Sequence, residues 1–595
     1  MSYVAPVKDL LFNIRHLAGL DELVQQVPAF ADYGLDTAAA VLDECAKLTQ
    51  DVIAPLNFEG DKNPSSFKDG AVTTTPGFKE AFRAYVEGGW QGLVHPVDFG
   101  GQGAPKTIAA ACNEMLQAAN MSFALCPLLT DGAVEALLTA GSDAQRATFI
   151  PRLLDGSWTG TMNLTEPQAG SDLALVRTRA EPLGDGRYKL FGTKIFITYG
   201  EHDMAENIVH LVLARVTGAP EGVKGISLFL VPKFLINADG SLGARNDVHC
   251  VSIEHKLGIK ASPTAVLQFG DHGGAWGELI GEENRGLEYM FIMMNAARYG
   301  VGLQGIAIAD RAYQKAVAYA KDRVQSRPVD GSATGPAPIV HHPDVRRMLM
   351  TMRALTEGCR AMASTAAAAF DAAHHHPDTA VRQQSQAFYE FMVPLVKGYS
   401  TEMSQEVASL GVQVHGGMGF IEETGAAQYY RDAKILTIYE GTTAIQANDL
   451  VGRKTARDGG SLARAIAGQI EVTEGQLAQR SSAAAKSMLK QLRASRDDFL
   501  AAVEFIASHA KPQPNAAYAG SVPYLMLAGN LVAGWQLARA LIAAEDKLAS
   551  DEAFMQAKIA TARFYAEHIL PRTAALRAAI VDGADSVTAL PLDAF

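Results

Sequence analysis

The feature that most constrains the fold of this chain is a change in sequence texture near Trp158. From there to about Gly281, short runs of β-branched and aromatic residues are separated by Gly, Asn or Pro, as at 188–191, 194–198, 208–214 and 226–231. This pattern is typical of strands joined by turns. Helices do not alternate with these strands, which argues against a doubly wound nucleotide-binding sheet. The sequence therefore predicts an all-β domain over residues 159–285.

Helical periodicity flanks this β region on both sides. The predicted helices cover 38–52, 78–87, 107–120, 131–140 and 144–154 before it, and 287–325, 344–373, 379–412 and 443–451 after it. We predict a mostly α fold with a central β domain. Its parts are an N-terminal arm (1–37), an N-terminal helical domain (38–158), the middle β domain (159–285), a helical bundle (286–455) and a C-terminal helical extension (456–595).

Composition and charge argue against several classes of protein. The net charge of −12 is opposite to that of a nucleic-acid-binding surface. The five cysteines are scattered and form no Cys-x-x-Cys motif, which suits a reducing cytoplasm. The most apolar segment, 524–542, contains Gln536 and Arg539, so we expect a buried helix and no transmembrane segment. The histidine run at 374–376 has no partner at ligand spacing, and we expect no metal.

The most informative stretch for function is 430–443, which contains Glu440. Apolar residues precede Glu440, and Gly441 follows it, which permits a sharp turn and close approach of a ligand. Residues 443–446 resemble a capping box that begins a helix. Apolar burial raises the pKa of a carboxyl group and a helix N-terminus lowers it. Such a carboxylate is a candidate base for removing a proton from carbon, although a simple helix cap has the same spacing.

The segments Arg431-Asp432-Ala433-Lys434 and Ile438-Tyr439-Glu440-Gly441-Thr442 resemble the signature of the acyl-CoA dehydrogenase family. The resemblance extends over about 40–455 and implies a helical domain, a β-barrel domain and a helical bundle. It implies that Glu440 removes the α-proton of an acyl-CoA thioester while the β-hydrogen leaves as hydride to N5 of FAD. The arm and the extension resemble a long bacterial subgroup that includes 3-methylmercaptopropionyl-CoA and long-chain acyl-CoA dehydrogenases.

The resemblance also implies which residues bind FAD and substrate. Segment 164–172 matches a second signature, Phe196 stands where many members have Trp, and Asn295 stands where many have Asp. A few relatives place the base one residue before Arg298, where this chain has Ala297. The residues expected at FAD are Met162, Leu164, Thr165, Gly170, Ser171, Phe196, Thr198, Arg323, Gln413, Gly416, Gly417 and Thr442, and those expected at the substrate are Ser171, Asn295, Arg298, Tyr439 and Gly441.

The family implies a place in fatty acid β-oxidation, with electrons passing to an electron-transfer flavoprotein. An acyl-CoA oxidase on the same scaffold is an alternative that the sequence leaves open. A DNA-associated flavoprotein relative is a second alternative, but the extension lacks a basic stripe. Apolar residues of the extension need a partner surface, and we expect the bundle of the same chain to provide it, which would leave a homodimer. These residues are Leu525, Leu527, Leu531, Trp535 and Leu537.

Overall fold

The structure is a computed structural model that describes residues 3–595, so Met1 and Ser2 of the predicted arm lie outside the described residues. The predicted order of helices, then strands, then helices is confirmed. Eight α-helices precede the barrel: α1 (Val7–His16), α2 (Leu20–Gln26), α3 (Leu35–Leu48), α4 (Leu56–Lys62), α5 (Phe78–Glu87), α6 (Lys106–Ala119), α7 (Met121–Ala140) and α8 (Asp143–Leu154). A hairpin of β1 (Ser66–Lys68) and β2 (Ala71–Thr73) separates α4 from α5.

Ten further strands form the middle domain: β3 (Trp158–Asn163), β4 (Arg179–Pro182), β5 (Arg187–Thr198), β6 (Asn207–Val216), β7 (Ser227–Pro232), β8 (Phe234–Ile236), β9 (Leu242–Arg245), β10 (Val248–Ile253), β11 (Thr264–Phe269) and β12 (Ala275–Ile280). Pairing runs from β5 to β12, β7 and β6, and β4 pairs with both β6 and β5. These five strands therefore close the predicted barrel. Strands β11 and β10 extend the sheet beyond β5, and β3 extends it beyond β6.

The bundle contains α9 (Gly286–Asp322), α10 (Pro343–His375), α11 (Thr379–Pro394), α12 (Ser400–His415), α13 (Ala426–Lys434) and α14 (Thr443–Val451). The chain is helical throughout the predicted range 379–412, but a π-helical turn, Leu395–Tyr399, within it divides α11 from α12. Pro394 precedes that turn and has no N–H for the helical hydrogen-bond ladder. Such π-turns are frequent at functional sites, and this one carries Lys397.

The extension forms α15 (Ser461–Ala478), α16 (Ala483–His509), α17 (Pro514–Ala519), α18 (Ser521–Asp546), α19 (Glu552–His568), α20 (Arg572–Val581) and α21 (Ala584–Val587). It packs on the bundle of its own chain. At Gly358 of α10, a Cβ would lie 3.2 Å from the ring of Tyr565 and 3.3 Å from Leu537. The five apolar residues that the sequence singles out on α18 are all buried.

Two helices are long and apolar enough to cross a membrane by length and composition, namely Met121–Ala140 and Ser521–Asp546. In each, 83% of the most apolar window is buried inside the chain. Burial of this kind is what the interior helices of a large core show.

A buried ion cluster joins the arm to the rest of the fold. Asp9 of α1 lies 2.8 Å from Arg360 of α10 and 2.6 Å from Lys558 of α19. Although burial opposes ionisation, these two cations lower the pKa of Asp9 to about 2. The arm, the bundle and the extension therefore share one charge network, and removing one partner would leave an uncompensated buried charge.

Candidate active site

A left-handed turn between α13 and α14 presents Glu440. Glu440 has a φ of 54° and Gly441 a φ of 82°. A non-glycine residue in this region costs about 1–3 kcal/mol, and such strain is concentrated at functional sites. A Cβ at Gly441 would lie 2.6 Å from Nε2 of Gln446, so this close approach requires glycine. The same Nε2 donates to the carbonyl of Glu440 at 3.3 Å, which fixes the turn from the α14 side.

The predicted capping box, which begins at Thr443, is wrong, because the N-cap of α14 is one residue earlier. Thr442 is the N-cap, with a ψ of 165°, and its hydroxyl accepts the N–H of Ile445 at 3.3 Å. Thr443 already lies in the helix, and its hydroxyl donates to Oε1 of Glu402 at 2.5 Å. Thr442, which the family resemblance assigns to FAD, therefore caps α14 directly after the turn that carries Glu440.

Glu440 is half-buried, and the charges of two cations act on its carboxyl group. Burial raises the pKa of its carboxyl group, while Arg298 and Lys397 lower it. The net result is a pKa above the ordinary value of glutamic acid. A general base works best when its pKa approaches the working pH, so the environment of Glu440 favours proton abstraction.

Lys397 holds the turn that carries Glu440 through two hydrogen bonds. Its side chain is fully buried in the π-turn, and its Nζ donates to the carbonyls of Leu436 at 2.8 Å and Gly441 at 2.6 Å. Burial lowers the pKa of Lys397 to about 8, although the charge of Glu440 raises it. Sequence reasoning missed this residue because two helices, α12 and α13, and several turns separate it from Glu440 in the chain. A single lysine directly after the apolar run 391–396 is the available signal.

Arg298 lies on α9 beside the turn. One of its Nη atoms would be 3.7 Å from a Cβ at Gly441. The side chain is only 6% exposed, and within residues 3–595 its Nε has no hydrogen-bond partner. A buried guanidinium with an unused donor fits a site that takes an anionic or carbonyl group. Asn295, one helical turn earlier, is exposed.

Tyr439 anchors the turn to the N-terminal helices. Its hydroxyl donates to Oε1 of Gln304 on α9, and Nε2 of Gln304 donates to Oε1 of Gln117 on α6 at 3.1 Å. Both glutamines are buried. This chain of hydrogen bonds orients the residue before Glu440, and the substrate contact expected of Tyr439 stays a prediction.

A buried ion pair holds the loop 164–172. Nζ of Lys194 donates to the carbonyl of Leu164 and to Oε1 of Glu166, both at 2.9 Å. Glu166 also accepts the backbone N–H groups of Arg177 and Thr178. Burial opposes ionisation, but Lys194 and these donors lower the pKa of Glu166 to about 2. The loop is therefore fixed at its base, while Gly170 and Ser171 at its outer end are exposed.

The same loop lies beside the end of β5. The carbonyl of Thr165 accepts the N–H of Ile195 at 2.9 Å, which brings the half-buried Thr165 next to Phe196. Phe196 has a φ of 60° and is 59% exposed. Thr198 is half-buried and pairs with Thr264 of β11. Met162 is buried in β3, and Leu164 is half-buried where that strand ends. Thr165, Phe196 and Thr198 thus lie together near the C-terminal end of β5, while Met162 and Leu164 lie where β3 ends.

The remaining predicted residues lie at the far end of the bundle. The ring of Tyr319, one turn before Arg323, stacks on His415 at a centroid distance of 4.4 Å, and His415 precedes Gly416 and Gly417. Arg323, Gln413, Gly416 and Gly417 are all exposed there. Arg298 lies in α9 and Arg323 caps the C-terminal end of that helix, so a rise of 1.5 Å per residue places them about 37 Å apart. The structure does not bring these four residues to Glu440 within one chain.

Family models match nearly the whole chain. They are described as "Acyl-CoA dehydrogenase, N-terminal domain" over residues 36–157, the middle domain over 161–272 and the C-terminal domain over 284–454. A fourth, "Acetyl-CoA dehydrogenase C-terminal like", matches residues 463–591.

Curated relatives extend the match over full length. The chain is 54% identical over 589 residues to 3-methylmercaptopropionyl-CoA dehydrogenase of Ruegeria pomeroyi, covering 99% of each chain. It is 37% identical over 607 residues to the broad-specificity linear acyl-CoA dehydrogenase FadE5 of Mycobacterium tuberculosis, covering 97% of each.

Solved structures share the fold at lower identity. An acyl-CoA dehydrogenase from Bacillus anthracis complexed with FAD superposes with a TM-score of 0.75 at 21% identity, covering 94% of this chain and 90% of that one. Caenorhabditis elegans ACDH-11 in complex with C11-CoA superposes with a TM-score of 0.75 at 20% identity, covering 98% of this chain and 96% of that one.

Proposed function

This chain belongs to the acyl-CoA dehydrogenase family, a family of FAD-dependent oxidoreductases acting on CH–CH bonds, and we propose that it converts an acyl-CoA thioester to the trans-2-enoyl-CoA with Glu440 as the α-proton base. The observation that carries the proposal is the carboxylate of Glu440, presented on a left-handed turn with a raised pKa between Arg298 and Lys397.

The chain's residues fit FAD at the edge formed by the loop 164–172 and β5. Phe196 offers an aromatic face that is 59% exposed, and a non-glycine φ of 60° aims it outward. Thr165 and Thr198 flank this ring, on a loop and a strand that are fixed by Lys194 and by sheet pairing. When bound, FAD supplies the acceptor for the two electrons and the hydrogen that leave the β-carbon.

The backbone N–H of Glu440 supports the proposed chemistry. In the described part of the chain, that N–H donates to no backbone or side-chain acceptor. A free donor next to the base suits a thioester carbonyl, because negative charge develops on that oxygen as the α-proton leaves. Arg298, with its unused Nε, adds positive charge on the same side of the turn. Glu440 takes the proton at a carboxylate oxygen, while Lys397 and Gln446 keep the turn in place.

We propose 3-methylmercaptopropionyl-CoA as the substrate. Support comes from the 54% identity to the Ruegeria pomeroyi enzyme of that name over 99% of each chain. The reacting α- and β-carbons are common to all acyl-CoA thioesters, so the catalytic turn does not itself select the acyl group. Linear fatty acyl-CoA esters are the comparison substrates, since FadE5 is named for them.

We further propose a homodimer in which a second copy supplies Arg323. Arg323 lies about 37 Å along the axis of α9 from Arg298, so one chain cannot bring both residues to one active site. The guanidinium of Arg323 suits a diphosphate through its two-pronged donor geometry. An electron-transfer flavoprotein is the proposed electron acceptor. The proposed location is the cytoplasm, which agrees with five buried cysteines that form no disulfide in the described chain.

Anaerobic rapid mixing tests the proposal. The FAD-loaded protein is mixed with 3-methylmercaptopropionyl-CoA, butyryl-CoA or a long-chain acyl-CoA, and flavin absorbance is followed. We expect bleaching, fastest with the first ester, and turnover with an artificial electron acceptor. Absence of bleaching with every ester would refute the function, and a faster linear ester would refute only the substrate. Stoichiometric peroxide formation in air would indicate an oxidase, and a salt-sensitive DNA shift without bleaching would indicate a DNA-associated flavoprotein.

A further inference from the structure

Two histidines and one carboxylate converge on the surface of the middle domain. Asp247 precedes β10, His249 is in β10, and His272 lies in the turn between β11 and β12. Nε2 of His249 is 3.4 Å from Oδ1 of Asp247, and the rings of His249 and His272 are 5.5 Å apart between centroids. One potential ligand atom from each of the three residues lies within 4.8 Å of the other two.

The carboxylate of Asp247 is already oriented. Its Oδ2 accepts the backbone N–H groups of His272 at 2.7 Å and Gly274 at 3.0 Å. Its Oδ1 is buried and has no hydrogen-bond partner among residues 3–595. A buried carboxylate oxygen left without a donor is costly. The unused oxygen is the one beside His249, so a cation between these groups would relieve that cost.

The turn that carries His272 is shaped by glycine. Gly270, Gly273 and Gly274 have φ values of 89°, 111° and 109°, which side chains rarely adopt. The N–H of Gly270 donates to the carbonyl of Asp247 at 2.9 Å, closing the turn over β10. This backbone path places His272 beside two residues that precede it by more than twenty positions.

We propose that Asp247, His249 and His272 form a zinc-binding site. Nitrogen and oxygen ligands lie about 2.0–2.2 Å from Zn²⁺, so tetrahedral ligands are about 3.3–3.6 Å apart. The 3.4 Å separation of Asp247 and His249 already matches that edge. His272 is exposed and closes the remaining gap by rotating its side chain. Imidazole with carboxylate favours Zn²⁺ over Mg²⁺ or Ca²⁺, which prefer oxygen ligands alone.

The site is separate from the catalytic turn and from the proposed flavin edge. At one end of β11, Thr264 pairs with Thr198 at the flavin end of β5, while at the other end of β11, Phe269 pairs with Gly192 in the middle of β5. Five residues of strand at about 3.3 Å each separate the two ends by about 17 Å. Zinc there would cross-link β10 to the turn between β11 and β12, and His249 and His272 would leave the fourth ligand position open to solvent.

The histidine run at 374–376 provides a matched control. His374 Nδ1 lies 2.8 Å from the carbonyl of Phe370, and Nδ1 of His376 accepts the N–H of Asp378 at 3.0 Å. Each of these ring nitrogens is thus used locally. All five cysteines are buried, so thiols do not compete for added metal at the surface.

Isothermal titration of zinc chloride into tag-free, chelator-treated, FAD-loaded full-length protein tests the proposal. We expect one Zn²⁺ per chain and affinity at least about tenfold weaker in His249→Ala or His272→Ala, the loss typical of disturbing a metal's supporting residues. Asp247→Asn retains an acceptor for the turn's N–H groups and should weaken binding similarly. His374→Ala should bind as the unmodified protein does.

Variant integrity is checked by circular dichroism and FAD content, which we expect to be unchanged because His249 and His272 lie on the surface. X-ray absorption at the zinc edge should show two imidazole ligands at about 2.0 Å. Unchanged stoichiometry and affinity in the double variant His249→Ala/His272→Ala would overturn the assignment. Equal binding of magnesium chloride would overturn it too.

Discussion

Lys397→Met tests how the catalytic turn is held. The carbonyls of Leu436 and Gly441 accept from Nζ at 2.8 Å and 2.6 Å, and methionine fills a similar volume without donating. The left-handed φ of Glu440 persists only while its surroundings enforce it. Loss of this common donor should therefore let the turn relax and move the base away from its working position.

The magnitude follows from those two bonds. A hydrogen bond involving a charged group contributes about 1.5–3 kcal/mol, so two contribute about 3–6 kcal/mol to the local structure. Removing a buried ammonium also removes its desolvation cost, which offsets part of that loss. The chain should stay folded while the turn shifts. A displacement of about 1 Å at a reacting group lowers the rate about 10²-fold, and this is the expected fall in kcat.

The pH profile separates positioning from general damage. The Lys397 cation lowers the pKa of Glu440, so its loss raises that pKa further. The base must be unprotonated to act, and the acidic limb of kcat/KM should therefore move to higher pH. A merely disordered site would lower the plateau without moving the limb.

Stopped-flow bleaching across pH, with FAD content measured in parallel, supplies both readouts. Lys397→Gln retains a donor but not the charge, so we expect a smaller loss of rate with the same displacement of the acidic limb. A Lys397→Met variant with the unmodified protein's rate and acidic limb would refute the reasoning.

Three further predictions concern the base, the cofactor and the extension. Glu440→Gln should retain FAD but lose about 10²–10⁴ in rate, and normal bleaching would place the base elsewhere. Arg323→Ala should lower FAD retention in a way that depends on protein concentration, and unmodified FAD content after dilution and gel filtration would contradict that role. Deleting residues 461–595 should expose the bundle face that contains Gly358, seen by light scattering as aggregation. A truncated protein that stays a soluble dimer, or a tetrameric full-length protein, would contradict the packing argument.

The sequence predicts much of the fold because the hydrophobic periodicity that marks helices and strands is a local property of the sequence. The order of helices and strands is visible in short windows, and the structure confirms the barrel between two helical regions. The predicted position of Glu440 before a turn and a helix also agrees with the structure, because glycine and a capping residue act within a few positions. The predicted helix 443–451 agrees with α14, whereas the predicted N-cap is one residue off, since the backbone conformation of Thr442 decides the cap.

Tertiary neighbours were not predictable in the same way. Lys397 reaches Gly441 only because the π-turn after Pro394 rotates it inward, and helical periodicity gives no sign of that turn. Asp247, His249 and His272 have no metal-ligand spacing in sequence, since a glycine turn brings the third residue back. The expectation of no metal rested on spacing alone.

Two buried lysines stabilise the two halves of the site, the turn at Glu440 and the loop 164–172, by the same kind of hydrogen bonding. Catalytic turns and cofactor loops contain carbonyls that no helix or sheet satisfies, and buried carbonyls need donors. An ammonium offers three donors from one point, so it can join carbonyls that converge from different directions. Lys397 does this for Leu436 and Gly441, and Lys194 joins Leu164 to Glu166.

Each lysine serves one half of the site, so the two variants should differ. Lys194→Met should impair FAD retention, measured by flavin content after gel filtration, whereas Lys397→Met should retain FAD and impair proton abstraction. Equal FAD loss in both variants would show that the two halves are not held independently.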